Sequence, residues 1–417
     1  MTNPAPPVRR AALAFIFVTV VLDVLALGVV IPVLPGLVKD FLHGDSGRAA
    51  EYFGLFGTVF ALMQFVFAPV MGALSDQFGR RPIILLSNFG LGLDYIVMAL
   101  APSLGWLFLG RVISGITGAS FTAAGAYIAD VTPPEKRASG YGLIGAAWGT
   151  GFVLGPALGG LLGGISSRLP FWTAAALTLV NATYGLFVLP ESLPKERRSR
   201  FQLRKANPVG SLRLLRSHPE LFGLAGVTFL YFLAHNVLPS VFVLYADYRY
   251  GWGKESVGLV LALVGVCGIV VQAVVVKWAV ARFGERRTLL AGLFLGAAGF
   301  AIYGLAASGL VFLLAVPVFA FMGLYNPAAQ GLMTRLVGPN EQGQLQGANS
   351  SIMGITGMIG PSIFTLTFAR FIDPGFRFHV PGAPFLLAAL FLLSGFGLAW
   401  RVTRRRVAVA PPVSSPG

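Results

Sequence analysis

The chain has little of what soluble enzymes usually depend on. It has one cysteine, Cys267, which excludes an intramolecular disulfide. Charged residues make up only 11% of the chain against 55% hydrophobic residues, and the mean hydropathy is +0.76. The sequence has no phosphate-binding loop, metal-ligand cluster or nucleophile arrangement. We therefore expect no enzymatic activity, no cofactor, no metal and no use of ATP.

Long apolar runs are present instead. A helix that crosses a bilayer needs about 20 apolar residues, and these runs lack the short alternation of an outer-membrane strand. The first run follows Arg9 and Arg10 and is too long for a signal peptide, so we expect it to be retained. We predict an all-α membrane protein with twelve transmembrane helices, at roughly 11–34, 51–73, 82–101, 104–128, 139–163, 169–189, 220–246, 255–280, 287–307, 309–334, 343–370 and 382–402.

The basic residues indicate how these helices are oriented. A net charge of +15 would suggest a nucleic-acid partner in a soluble protein, but here most lysines and arginines fall in alternate inter-helix segments. The positive-inside rule makes those segments cytoplasmic. They hold Arg9, Arg10, Arg80, Arg81, Lys136, Arg137, the cluster 195–216, Arg282, Arg286, Arg287, Arg335 and 401–406. We predict a bacterial-type inner-membrane protein with both termini in the cytoplasm and no nucleic-acid partner.

The two halves of the sequence repeat at a constant offset of 205 residues. The matching pairs are Gly79 and Gly284, Arg81 and Arg286, Pro134 and Pro339, Gly142 and Gly347, and Gly155-Pro156 and Gly360-Pro361. Such a repeat predicts two pseudo-symmetric six-helix bundles. The predicted divisions are a first bundle at 1–190, a solvated basic linker along anionic headgroups at 191–219, a second bundle at 220–405 and a disordered tail at 406–417.

One polar motif, GALSDQFGRRP at residues 72–82, resembles the loop between helices 2 and 3 of the major facilitator superfamily. Further segments resemble its tetracycline/proton antiporter branch over nearly the whole chain. They are LDVLALGVVIPVLPGL (22–37), ALMQFVFAPVMGALSDQFGRRP (61–82), GRVISGITGAS (110–120), GAYIAD (125–130), GPALGG (155–160), ARFGERR (281–287) and GQLQG (343–347).

The resemblance implies a conformational latch at the cytoplasmic end of the first half. Its residues are Gly72, Asp76, Gly79, Arg80, Arg81 and Asp130, of which Asp76, Arg80 and Asp130 form a charged cluster in the family. The alternative is that Asp76, Arg80 and Arg81 form an ordinary solvated turn at the end of a helix. Since position 281 is alanine where the second half would need the latch aspartate, we expect only one complete latch.

Helix 5 resembles the signature shared by antiporters of the superfamily. Its residues here are Gly151, Gly155, Pro156, Gly159 and Gly160. Small residues at every fourth position allow a neighbouring helix to approach closely, and the proline adds a kink. The pattern is consistent with simple tight packing and with packing that seals an exporter against leakage.

Charged residues at the centre of a bilayer cost about 2.5–3.5 kcal/mol each on insertion scales, and three stand out in the predicted helices. They are Asp23, Asp94 and Arg111. A buried acid that approaches or leaves a cation can bind and release a proton, so we assign these residues to proton coupling. The alternatives are a static ion pair, a helix cap, or an arginine that only supports the packing.

Polar residues in the predicted helices are candidates for binding substrate: Gln64, His235, Asn236, Gln272, Asn326 and Gln330. Phe15, Phe17, Phe60, Phe65, Phe67, Phe229 and Phe232 could line an apolar cavity. Tetracycline exporters carry a histidine in helix 8 and an aspartate in helix 9, where this chain has Gly268 and about Gly296. We therefore expect little or no tetracycline export.

These observations favour a monomeric, proton-driven exporter of a small lipophilic or amphiphilic compound, with the lipid bilayer as its other partner. Two alternatives stay open. One is an uptake symporter or facilitator on the same fold, and the other is a receptor or scaffold that transports nothing, because fold does not fix function.

The charge distribution predicts a membrane topology that can be tested by cysteine labelling. In a Cys267→Ser background, single cysteines that replace Lys195 and Ser103 should react with an impermeant thiol reagent from opposite sides of the membrane. The cysteine at 195 should react from the cytoplasm and that at 103 from outside. The reverse pattern would contradict the predicted orientation.

Overall fold

The computed structural model describes residues 7–118, 126–127, 130–131, 137–198, 212, 214–215, 219–338 and 341–404. Regular structure within these residues is helical. The α-helices are α1 (Pro7–Val30), α2 (Leu34–Phe41), α3 (Ser46–Phe78), α4 (Arg80–Leu100), α5 (Leu104–Thr117), α6 (Arg137–Ile165), α7 (Leu169–Val188), α8 (Pro219–His235), α9 (Val237–Tyr250), α10 (Lys254–Val270), α11 (Val276–Leu305), α12 (Gly309–Ala320), α13 (Tyr325–Thr334), α14 (Gln342–Ile372) and α15 (Ala383–Arg404). A π-helical turn, Val271–Val275, joins α10 to α11.

The helices coincide with the apolar runs of the sequence. Nine helical stretches in the described residues are long and apolar enough to cross a membrane, and two shorter apolar helices, Leu104–Thr117 and Gly149–Ile165, occupy the fourth and fifth predicted positions. The longest stretch, Lys254–Leu305, covers two predicted helices and bends at Gly284. The predicted all-α membrane fold is confirmed. The predicted tail at 406–417 lies outside the described residues.

Two glycines at the 205-residue offset have the same unusual backbone. Gly79 has φ +106°, ψ 160° and directly precedes α4, while Gly284 has φ +76°, ψ 164° inside α11. Residues with a side chain rarely adopt a positive φ. The internal repeat therefore extends from sequence to backbone conformation.

The chain separates into two compact units. The first contains Met1–Pro208, Leu238–Val266 and Gly357–Pro381, and the second contains Val209–Val237, Cys267–Thr356 and Gly382–Gly417. This grouping follows spatial contacts, whereas the predicted boundaries follow the linker, so the predicted domains stay a prediction.

Glycines bring α1 and α6 of the first unit into backbone contact. A Cβ added to Gly155 would stand 2.7 Å from the Cα of Gly28, and one added to Gly151 would stand 2.7 Å from Cβ of Val24. A Cβ on Gly159 would collide with the carbonyl of Val29. Helix α6 is the fifth predicted transmembrane helix. The glycines of its signature give it a face without side chains, and α1 packs on this face.

At one end of the first unit, segments from the two halves of the sequence contact each other. Lys39 Nζ lies 2.5 Å from Asp247 Oδ2, and Thr58 Oγ1 donates to the Met358 carbonyl at 2.8 Å. The fourth glycine of the signature, Gly160, packs on the backbone of α10 at Lys254, Glu255 and Gly258. We call the Lys39–Asp247 and Thr58–Met358 contacts the far-end contacts, because the charge map predicts that this end is the one away from the cytoplasm.

The second unit has an aromatic core, and two residues of the linker pack on its helices. Five aromatic residues form the core of the second unit and contact one another, with Tyr303 stacked on Phe312 at 4.0 Å: Phe300, Tyr303, Phe312, Phe319 and Phe385.

Two linker residues, Leu214 and Leu215, are buried against α8, α13 and α14. Part of the linker is therefore packed rather than solvated as expected, because its leucines remove apolar surface from water.

The α1–α6 contact generates a prediction with a control on the same helix. Gly155→Ala should lower the stability by about 1–3 kcal/mol, because the added methyl overlaps the α1 backbone. Gly164→Ala should be neutral or stabilise by up to about 1 kcal/mol, because no atom lies within 4 Å of a Cβ at that position. Thermal unfolding in detergent measures both, and equal effects would refute the packing argument.

Candidate functional site

The first polar site joins α4 to α5. Asp94 Oδ2 accepts a short hydrogen bond from Ser114 Oγ, and Arg111 Nη2 lies 3.1 Å from the same hydroxyl oxygen. All three residues are buried. Gly110 gives the carboxylate room, because a Cβ there would stand 2.9 Å from Asp94 Oδ1. The structure thus places one hydroxyl between a buried acid and a buried cation.

This arrangement leaves some hydrogen-bonding capacity unused. Within the described residues, Asp94 Oδ1 and Arg111 Nε have no hydrogen-bond partner. The guanidinium also donates to Met98 Sδ at 3.1 Å and lies 5.6 Å from the ring centre of Phe60. A buried polar atom without a hydrogen bond costs free energy. Asp94 and Arg111 would therefore gain from a change of hydrogen-bond partner.

The second polar site joins α1 to α7. Asn181 Nδ2 donates to Asp23 Oδ1 at 2.9 Å and to the Thr19 carbonyl at 3.1 Å, and both side chains are buried. Asn181 was not anticipated from the sequence, although an asparagine within the apolar α7 was a usable signal. Tyr95, a buried residue of α4, lies within electrostatic range of Asp23, Asp94 and Arg111.

Arg80 is the centre of the predicted latch. Its Nη1 lies 2.5 Å from Asp76 Oδ1 and 2.6 Å from Ser75 Oγ, and its Nε lies 3.1 Å from Asp130 Oδ2. The positive φ of Gly79 directly precedes it. Two residues assigned to the latch have other contacts: Arg81 donates to the Leu186 carbonyl at 2.6 Å, and the Gly72 carbonyl accepts from Ser75 Oγ at 2.8 Å.

The second half has an ion pair at the equivalent place, which the sequence analysis missed. Arg335 Nη2 lies 2.8 Å from Glu285 Oε1. At the 205-residue offset, Glu285 corresponds to Arg80 and Arg335 to Asp130, so the pair has the same position with its charges exchanged. Since position 281 is alanine, this pair lacks the counterpart of Asp76, and the expectation of one complete latch stays a prediction.

The second unit contains a polar cavity of about 400 Å³. Two predicted substrate residues, Asn326 and Gln330, line it, and Asn349 Nδ2 donates to Gln330 Oε1 at 3.1 Å. Its lining residues carry no formal charge. They are Thr228, Phe232, Tyr325, Asn326, Pro327, Ala329, Gln330, Met333, Gln346, Asn349, Ser350 and Met353.

One of the lining residues, Tyr325, belongs to a buried tyrosine pair. Thr228 Oγ1 and the Tyr325 hydroxyl are 2.9 Å apart, and the Tyr231 and Tyr325 rings stack at 4.0 Å. Thr228 corresponds to Asp23 at the 205-residue offset. The second half therefore places a neutral hydroxyl where the first half has an acid.

The other predicted substrate residues do not line the cavity. His235 is exposed where α8 ends, and Asn236 donates to the Phe232 carbonyl at 2.8 Å. Gln272 is exposed in the π-helical turn, and Gln64 is half-buried on α3. Local sequence could not separate these positions from Asn326 and Gln330.

The phenylalanines that were expected to line a cavity have different surroundings. Phe60 faces Arg111, Phe17 packs on the core of the first unit, and Phe229 packs beside the cavity residue Phe232 on the core of the second. Phe65 and Phe67 are half-buried, and the side chain of Phe15 lies outside the described residues. Of these seven phenylalanines, Phe232 lines the cavity as expected, and the other six are not among the lining residues that the structure describes.

Comparison with known proteins places these sites in a family. The Major Facilitator Superfamily matches residues 16–361 and again residues 224–415. The chain belongs to the major facilitator superfamily. It is therefore a multi-pass membrane transporter and not an enzyme.

Three relatives show the range of similarity. "Tetracycline resistance protein, class C" of Escherichia coli is 42% identical over 358 residues, which cover 86% of this chain and 90% of that protein. "Multidrug resistance protein 2" of Bacillus subtilis is 28% identical over 380 residues, or 90% of each. The crystal structure of the human organic anion transporter MFSD10 superposes with a TM-score of 0.70 at 25% identity and covers 94% of this chain and 100% of that one.

Within this transporter, the two glycines that replace polar residues of tetracycline exporters differ in their surroundings. No atom lies within 4 Å of a Cβ built on Gly268. A Cβ on Gly296 would stand 2.9 Å from Met322 Cγ and 3.1 Å from Leu392 Cδ1. There is open space beside Gly268, whereas helix packing fills the space beside Gly296.

The exchanged ion pair generates a double-mutant prediction. Glu285→Arg and Arg335→Glu should each destabilise the transporter by placing like charges together, and the double variant should recover most of the loss. Since Arg335 is exposed, the coupling free energy should be only about 0.2–1 kcal/mol. Thermal unfolding at low salt measures it.

The matched control replaces Arg282, an exposed arginine nearby. Arg282→Glu should show no coupling with Arg335→Glu. Coupling of similar size but opposite sign for Arg282 would mean that net charge, rather than the pair, determines the effect.

Proposed function

We propose that this transporter exports small lipophilic or amphiphilic compounds from a bacterial cell in exchange for protons, by alternating access. The observation that carries the proposal is the buried contact of Asp94, Ser114 and Arg111. The names of the relatives support drug export, and their family supports transport in general.

The contact can explain proton exchange. Loss of water favours the neutral form of a carboxyl group, whereas a nearby guanidinium favours the carboxylate. A movement that breaks the Ser114 link would change how strongly Arg111 acts on Asp94. The acid would then take up a proton in one conformation and release it in the other. Asp23, held by Asn181 in the second polar site, is the second candidate for this role.

The far-end contacts support alternating access. Lys39–Asp247 and Thr58–Met358 each join a segment of the first sequence half to one of the second half. Such contacts must separate whenever this end opens. A pair of long side chains and a hydroxyl contact are weak enough to form and break in each cycle.

The cavity of the second unit supports the choice of substrate class. Uncharged amides and hydroxyls with aromatic and methionine side chains favour a neutral compound held by apolar contact and a few hydrogen bonds. The missing histidine and aspartate, and the filled space at Gly296, disfavour a magnesium-chelated drug.

The coupling proposal is tested in everted membrane vesicles. Asp94→Asn should abolish proton flux driven by an exported dye, because an amide cannot carry the proton, and the protein should remain folded in the membrane. Ser114→Ala should keep the acid but weaken its link to Arg111, and should shift the pH dependence of transport. Undiminished coupled flux in Asp94→Asn, Asp23→Asn and the double variant would exclude both acids.

The direction and substrate are tested by expression in an efflux-deficient host. We expect lower accumulation of a lipophilic dye and little change in tetracycline susceptibility. Raised accumulation would indicate uptake, and no change over a broad panel would favour a protein that transports nothing. Magnesium-dependent tetracycline efflux would show that other residues replace the missing pair.

A further inference from the structure

The segment that follows α7 contacts the latch directly. Glu191 Oε1 accepts hydrogen bonds from the backbone N–H of Arg80 at 2.9 Å and from that of Leu193 at 3.0 Å. Glu191 Oε2 lies 3.7 Å from Arg198 Nη2. The first residues of the linker therefore form a small folded element around one carboxylate.

This carboxylate occupies the place of a helix cap. Helix α4 begins at Arg80, and the residue before it, Gly79, has no side chain that could accept from the free N–H groups of the first turn. A negative charge near a helix N-terminus is favourable. A Cβ on Gly79 would overlap the Glu191 carboxylate, so the glycine is also what lets the acid approach.

The neighbouring residues connect the same segment to the acid of the latch. Ser192 Oγ donates to Asp130 Oδ2 at 3.1 Å, and this is the oxygen that Arg80 Nε also contacts. The Tyr127 hydroxyl donates to the Pro190 carbonyl at 3.1 Å. The linker thus contacts the backbone N–H of Arg80 through Glu191 and the side chain of Asp130 through Ser192.

The second half shows that such a clamp is not a general feature of the repeat. At Gly284, the counterpart of Gly79, no atom of the described residues lies within 4 Å of an added Cβ. The Glu285–Arg335 pair is therefore formed without a carboxylate over the preceding glycine. Within the described residues, the carboxylate of Glu191 contacts the first latch and not the Glu285–Arg335 pair.

We propose that Glu191 is a positioning residue of the transport cycle, and that the start of the linker clamps the latch by capping α4 and holding Asp130. A pull on the linker would remove the cap and free Asp130 together, so the linker would transmit movement to the latch. This inference rests on the proposed alternating access, but not on which compound is exported.

The clamp is tested with Glu191→Gln and a control, Glu196→Gln, which changes an exposed acid of the same segment. Hydrogen exchange of the full-length protein should become faster at the start of α4 in Glu191→Gln by roughly 2- to 30-fold, the range expected for loss of a helix N-cap. Glu196→Gln should exchange like the unmodified protein. Equal exchange in all three would overturn the capping role.

Its effect on conformation is tested without a substrate. The latch and the far-end contacts are both formed in this structure, so weakening the latch should disfavour this conformation and expose Thr58. In a Cys267→Ser, Thr58→Cys background, Glu191→Gln should raise the rate of thiol labelling several-fold, and Glu191→Asp should restore part of the original rate. If hydrogen exchange at α4 becomes faster while the rate of thiol labelling is unchanged, Glu191 caps α4 without positioning the latch. That result would overturn the proposal.

Export measurements keep this proposal separate from the proposed function. If the unmodified protein exports a dye, Glu191→Gln should change the turnover rate with little effect on KM, whereas a proportional loss of binding would contradict a positioning role. If the unmodified protein exports nothing, the proposed function fails, and the exchange and labelling results still decide the role of Glu191.

Discussion

Close approach of helix backbones is the constraint on which the rest of this transporter depends. In a bilayer, lipid tails are as apolar as leucine, so helices gain little from burying apolar side chains against each other and depend on close van der Waals contact. Glycines meet this need, and the chain has 53 of them. Gly155 lies on Gly28 so closely that neither position can hold a side chain. The buried acids of the first unit are held on helices positioned in this way.

The two halves have the same helix pattern but divide the chemistry unequally. The positions that correspond to Asp94 and Arg111 are Gly299 and Val316, and Gly299 packs on the backbone of Phe319. An aromatic core thus replaces the charged contact. One half has the groups that can exchange a proton, and the other has a neutral cavity. Such a division would let protons and a lipophilic compound use separate sites within one protein.

Local sequence was sufficient for the fold but not for the contacts of the site. Apolar runs predicted the helices because length and hydropathy alone decide whether a segment can cross a membrane. Asp94 and Arg111 were recognisable because charge is rare in such runs. Ser114 was not recognisable, because a serine within a helix is unremarkable. Asn181 and Glu191 were not assigned because their partners, Asp23 and Arg80, lie far along the chain. An asparagine in an apolar helix signals a buried polar contact, but it does not say which residue is the partner.

The exchanged charges of the two ion pairs have a consequence for the history of the protein. A duplicated segment starts with the same residues in both copies, and since both positions now differ, at least two substitutions separate the two pairs. Any single reversal places like charges together, which makes that intermediate less stable than either end state. Neutral residues at one position offer a route around it. Selection would then have acted on attraction at this location, whichever residue supplied the positive charge.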